Sequence, residues 1–232
     1  MKFGLAKSIA ESKHRAKLKN HSFTIIANTC MGGVVTHSLG EQFRSPTVNV
    51  LMSEYHYMAF CKYLKEYSKC PVEEPTKEEW EQYKDVTHPV GVLRGYKIPN
   101  GYLPDIKLPD IMLLFVHFKT FEEAKQKWEE RFKRVNYDDV YLLMDCAMSA
   151  SDEILDEFNA LPYEHKVVFT HKEDPQRWPA NYRYSFYTDE KFSSGCVYNP
   201  ITKGHIDYKW LHEFDFIEWL NEGVLRKNPD FE

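Results

Sequence analysis

Apolar positions along this chain recur with two periods. Phe23–Ile26, Val90–Leu93, Ile111–His117, Val140–Met144 and Val167–Thr170 are short continuous runs rich in β-branched and aromatic residues. Runs of that kind fit strands covered on both faces. Between them the spacing turns helical. From Ser53 to Tyr67 the buried positions are Tyr57, Phe60, Cys61 and Leu64, with Ser53 as cap. From Thr120 to Val135 the stripe is Phe121, Ala124, Trp128, Phe132 and Val135, and Thr120 with Glu123 forms a capping box. Asp152–Leu161 is amphipathic and closed by Pro162, and Trp210–Leu220 is an aromatic-rich closing helix. Weaker signals predict a short helix at Val34–Leu39 ended by Gly40, a strand near Val48–Leu51, a helical piece at Glu78–Tyr83 and an edge strand at Tyr184–Tyr187. Tyr96–Pro109, punctuated by Pro99, Gly101 and Pro104, reads as a loop or hairpin.

Strands alternating with helices predict an α/β fold: an open, mostly parallel sheet flanked by helices, Rossmann-like, with Ile111–His117 central. The polar stretch 71–89 is the natural division. It leaves a basic N-terminal segment 1–20, a first α/β half 21–89 and a second 90–232, or else one domain over 21–232.

The turn after the first strand draws attention. Phe23–Ile26 gives way to Asn28-Thr29-Cys30, and Gly32-Gly33 follow at once. Paired glycines admit positive φ and close backbone approach, which predicts a sharp turn into a helix. Ligands of open α/β sheets sit beyond the carboxyl ends of the strands, where this turn falls. It matches neither G-x-G-x-x-G nor G-x-x-x-x-G-K-[ST]. One reading is a tight structural turn. The other is that Asn28, Thr29 and the amides of Gly32 and Gly33 hold an anion or a sugar hydroxyl at a helix N-terminus.

Charge and cysteine content narrow the classes. The formal charge of −5 argues against a general nucleic-acid binder. Residues 1–20 run the other way, with Lys2, Lys7, Lys13, Arg15, Lys17 and Lys19 against Glu11. That segment reads as a solvated leading helix, or as a strip held against the anionic inner face of a membrane. Cysteines at 30, 61, 70, 146 and 196 form no C-x-x-C pair, which points to a reduced, cytoplasmic chain. No apolar run is long enough to span a bilayer and the N-terminus lacks a secretory signal pattern. No H-E-x-x-H, nucleophile elbow or D-x-D is present, so no metal or cofactor is expected.

Two constellations carry possible chemistry. Lys127, Arg131 and Arg134 share a helix face and suit a diphosphate, although Glu123–Lys127, Glu129–Lys133 and Glu130–Arg134 also read as ordinary i,i+4 pairs. His117, Asp145 and His171 each follow a predicted strand. If those strands are parallel, the three converge on one edge, where one of them serves as a general base. Cys30, just before a helix start, is a weaker nucleophile candidate without a histidine partner.

Five stretches resemble the bacterial "domain of unknown function 1919" family: FTIIANTCMGG, LGEQFRSPTVNV, the Pro89-Val90-Gly91 opening, VHFKTFEEAKQKWEERFKRVN and LPYEHKVVFT. The resemblance runs from about Phe23 to Thr170. It implies an α/β fold and a setting in exopolysaccharide or capsular polysaccharide assembly, and supplies no catalytic residue. In that setting the expected activity is metal-independent glycosyl transfer from a nucleotide sugar to a glycan or lipid-linked glycan. The alternatives are an acyl- or phosphotransferase that decorates the glycan, and a non-catalytic partner of the assembly machinery.

Overall fold

The computed structural model describes residues 12, 15–81, 83–95, 108–147, 150–172, 174–183, 198–199 and 207–229. Strand β1 (Thr24–Ala27) leads into α1 (Met31–Ser38), and β2 (Val50–Leu51) into α2 (Glu54–Lys62) and α3 (Leu64–Tyr67). Next come β3 (Val72–Glu73), α4 (Lys77–Glu81), β4 (Val90–Leu93) and β5 (Ile111–Phe115). They are followed by α5 (Phe121–Phe132), β6 (Val140–Ala147), α6 (Asp152–Ala160), β7 (His165–Thr170) and β8 (Asn181–Tyr182). A ribbon of β9 (Tyr198–Asn199) and β10 (Asp207–Tyr208) precedes α7 (Lys209–Glu213) and α8 (Phe216–Glu222).

The fold is mixed α/β, with one parallel and one antiparallel four-stranded sheet. The parallel sheet has the order β1-β6-β7-β8, with Ile26 beside Leu142 and Leu143 beside Val167. Its side chains alternate strictly between two clusters. Ile26, Leu142, Met144 and Val168 enter one, while Ile25, Ala27, Tyr141, Leu143, Val167 and Phe169 enter the other. Burial on both faces is why these strands read as continuous apolar runs.

The second sheet, β2-β5-β4-β3, departs from the parallel expectation: all its pairs are antiparallel. Ile111–Phe115 is an inner strand, but of this sheet, between β2 and β4. Its apolar content comes from lying between two strands and under the rings of α5, where Phe115 meets Trp128 at 6.2 Å and Phe121 at 6.4 Å. Gly91 is required there, because a Cβ would stand 2.6 Å from the Phe115 ring. Each sheet takes strands from both sides of residue 89: β1 with β6–β8, and β2 and β3 with β4 and β5.

Helix starts follow the caps. The hydroxyls of Ser53, Thr120 and Ser151 accept from the amides of His56, Glu123 and Ile154. Glu123 closes its capping box on the amide of Lys119 rather than of Thr120. Two expected helices are broken. Ser53–Tyr67 is interrupted at Tyr63 (φ −128°, ψ 38°), and Trp210–Leu220 divides at Phe214, which bridges Lys227, before Asp215 caps α8. The Tyr184–Tyr187 strand and most of the Tyr96–Pro109 loop lie outside the described residues.

Two further features anchor the frame. Arg94, 5% exposed, takes both Glu79 oxygens (2.6 and 2.8 Å) and Asp110 (2.8 Å), with Glu73 at 3.4 Å. It ties β3, α4 and β4 to the approach to β5. Far along the chain, the Lys19 amide donates to Asn221 Oδ1, Asn221 Nδ2 donates to the Lys17 carbonyl, and Asn20 Nδ2 donates to the Leu220 carbonyl. The beginning of the chain is thereby stitched to α8, whose Phe216, Ile217, Trp219 and Leu220 cover the second face of the parallel sheet.

Candidate functional site

Because β1, β6 and β7 run parallel, their carboxyl ends share one edge, and Asn28, Asp145 and His171 fall there. Asn28 is 2% exposed and both polar atoms of its side chain have a partner. Its Nδ2 donates to the Asp145 carbonyl at 2.9 Å, and its Oδ1 accepts from the Asp145 amide at 2.8 Å. Asn28, expected above to hold a ligand, turns its side-chain amide to the neighbouring strand instead, clamping β1 to β6 and fixing the backbone of the buried Asp145. Its own carbonyl accepts from the Met52 amide at 2.9 Å, which draws the end of β2 to the same place.

That last bond brings in residues the sequence reading missed. Glu54 opens α2 two residues after Met52, and together with Asp145 it bears on Cys146. Burial first, then the Glu54 and Asp145 carboxylates, push the Cys146 thiol well above its ordinary range. A thiol so placed is inert as a nucleophile at neutral pH. Thr170, fully buried at the end of β7, accepts from the Lys172 amide at 3.3 Å. Beyond it Lys172 pairs with Asp152 at 2.6 Å, and Arg177 grips Asp152 and Asp156. The signal for Glu54 was the brevity of the Val48–Leu51 run followed at once by the cap Ser53, which puts a helix start beside a strand end.

The Asn28–Gly33 turn differs from expectation in its glycines. The N-cap Cys30 is right-handed (φ −66°), and Gly32 and Gly33 are buried inside α1 rather than in the left-handed region. Their missing side chains allow close packing: a Cβ on Gly32 would lie 3.0 Å from Ala27 and Ile25, and one on Gly33 3.1 Å from Val48. Thr29, half-buried, turns its hydroxyl to the Met31 amide at 3.4 Å. No carboxylate occupies the first turn of α1.

The other predicted site residues lie elsewhere. The antiparallel register puts Val50 opposite Phe115 and Leu51 opposite Leu114, so β5 runs on past Phe115 toward Val48, away from Met52 and Asn28. His117 is accordingly carried off the carboxyl edge, and it is an exposed turn residue with φ 67°. Convergence of His117 with Asp145 required a parallel β5. The cationic helix face lies apart as well. Arg131, 8% exposed, donates to the Val48 carbonyl at 2.7 Å and sits over the rings of Phe43 and Phe118. Arg134 donates to the Phe43 carbonyl and reaches Glu130 at 3.9 Å; Lys127 pairs with Glu130 at 3.0 Å. Just beyond, the Asn136 amide meets Thr24 Oγ1 at the start of β1. Lys127, Arg131 and Arg134 thus belong to a helix that ends toward the amino edge of the parallel sheet. Burial and the neighbouring Arg134 lower the Arg131 pKa without threatening its charge.

Among the described residues no three His, Cys, Asp or Glu side chains gather to hold a metal ion. No described helix is long and apolar enough to cross a membrane. Most of the basic segment 1–20 falls outside the described residues; within it Arg15 donates to the Ser38 carbonyl at 2.8 Å.

A family model described as "Domain of unknown function (DUF1919)" matches residues 2–221, reaching beyond the Phe23–Thr170 stretch in both directions. An uncharacterized protein of Haemophilus influenzae is 26% identical over 205 residues, covering 88% of this chain and 87% of that protein.

Proposed function

Since the chain belongs to the domain of unknown function 1919 family, whose description assigns no activity, we propose from the geometry that it is a transferase acting at the carboxyl edge of the parallel sheet. In the surface-polysaccharide setting that the resemblance implies, the donor is a nucleotide sugar and the acceptor a glycan or lipid-linked glycan. The observation that carries the reading is the clamp by which Asn28 holds Asp145, a buried acid where a parallel strand ends. A carboxylate carried on backbone held in this way suits proton removal from an acceptor hydroxyl. His171, just past the end of the adjacent strand, orients that hydroxyl. The amides opening α1, with no acid in their turn, receive the leaving diphosphate. Asn28 acts as a positioning residue.

Thermal shift against nucleotide sugars, UDP and acetyl-CoA tests the reading. A donor bound at a hundredfold excess over its dissociation constant stabilises the fold by about 2.7 kcal/mol. Stabilisation by a nucleotide sugar that Asp145→Asn weakens is the expected result. A response to acetyl-CoA alone replaces glycosyl transfer with acyl transfer, and no response to any donor overturns the proposal.

A further inference from the structure

Helices α2 and α6 lie side by side and run the same way. Both start at the carboxyl edge, α2 just after Met52 and α6 just after β6, and Tyr163 Oη joins their far ends by donating to the Cys61 carbonyl at 2.8 Å. Between them runs an open groove of about 550 Å³, with Met58 and Ala59 on one wall and Ala160 on the other. Tyr55 stands at its rim 70% exposed, the most exposed large apolar side chain among the described residues. An aromatic ring with one wet end is a typical interface anchor.

The groove also carries one charge of each sign, on opposite walls. Lys62 belongs to α2 and Glu157 to α6. The Lys62 ammonium lies 5.6 Å from the centre of the adjacent Tyr63 ring. Among the described residues neither Lys62 nor Glu157 has an ion-pair partner, unlike Lys127, Lys172 and Arg177. A surface with unlike charges on its two flanks is complementary to itself under a two-fold rotation. An axis running along the groove, parallel to both helices, lays α2 of one copy over α6 of the other. Each Lys62 then meets the second copy's glutamate at 157, twice over, and each Tyr55 enters the opposing groove.

We propose that the α2–α6 groove is the homodimer interface of this protein. Sedimentation velocity of the full chain over a range of concentrations tests it. The wild type is expected to dimerise reversibly. Lys62→Glu and Glu157→Lys singly each weaken association more than about tenfold, since each puts like charges together at two symmetric places. The double variant Lys62→Glu/Glu157→Lys restores association, because the pair is re-formed with its signs exchanged. Tyr55→Ala weakens dimerisation in every background. All three positions are at the surface, and circular dichroism melts of each variant check that the monomer is intact. A wild type that stays monomeric at its highest soluble concentration overturns the proposal. So does a dimer indifferent to the single charge reversals, or a double variant no better than either.

Discussion

The parallel and antiparallel sheets share an apolar cluster, yet their polar ends are finished in different ways. At the antiparallel sheet, three carboxylates surround one buried guanidinium, and Arg94 with Glu79, Asp110 and Glu73 forms a structural knot. At the carboxyl edge of the parallel sheet, Asn28 spends its side chain on backbone groups and fixes the strand that carries Asp145. Charge is used in the first region to bind strands together. In the second, neutral hydrogen bonds bind the strands, and an acid is left to be positioned by them. Perturbed acids accordingly mark the wrong place if taken as a guide: Glu79, held down to about 2 first by its hydrogen bonds from Arg94, belongs to the knot.

Breaking the knot should give the largest effect. Arg94→Met leaves three half-exposed carboxylates facing one another without their cation and is expected to cost about 3 kcal/mol at neutral pH by urea denaturation. The pH dependence sharpens this. Glu79 has a folded pKa of about 2 against an ordinary value of 4.5, so its contribution is present above the upper value and lost as pH falls through the lower. The wild type should weaken steadily over that acid window, and the Arg94→Met protein should show a shallower slope there.

Asn28→Ala, at the other edge, strands the amide and carbonyl of Asp145 and should cost about 2–3 kcal/mol in the same measurement. It should also remove donor stabilisation, whereas Arg94→Met, once its lower baseline is allowed for, should retain it. Asp145→Asn comes third. Its expected cost is up to about 2.7 kcal/mol of ligand-dependent stabilisation, read as the donor-induced rise in melting temperature, with the unliganded melt nearly unchanged. His117→Gly should be the smallest, within about 1 kcal/mol, because relief of the left-handed backbone offsets the entropy of glycine. Donor binding should survive it. A loss of donor binding in His117→Gly would place chemistry at the turn after β5 and erase the contrast between the edges.

Much of the fold was legible from short-range signals. The apolar runs at Phe23–Ile26, Val140–Met144 and Val167–Thr170 announced the strands of the parallel sheet, and Ser53 and Thr120 announced helix starts. Strand direction was not legible for Ile111–Phe115. Met112 and Leu114 are half-buried while their neighbours are fully covered, but all five are apolar, so the alternation does not show. Two-residue strands such as Val72–Glu73 are too short to have a period at all. The grouping of site residues was only partly legible for the same reason. Asn28 and Asp145 are 117 positions apart, and only the pairing of β1 with β6 turns two strand-end polar residues into a clamp. His117 was grouped with them on an assumed direction. Arg131 looked like a ligand-binding cation because the carbonyl and rings that hold it come from residues 43, 48 and 118.

The stitch between residues 17–20 and 220–221 bears on the order in which a growing chain can finish folding. Phe23, Ile25 and Ala27 leave the ribosome some 200 residues before Phe216 and Trp219, which cover the same cluster. At 5–20 residues per second, that face of β1 waits roughly 10–40 s for its cover. Over that interval the nascent chain presents an apolar strand to its surroundings. A chain released before α8 is made never hides it, so a nonsense truncation ahead of α8 should yield a species that aggregates rather than a shorter working protein.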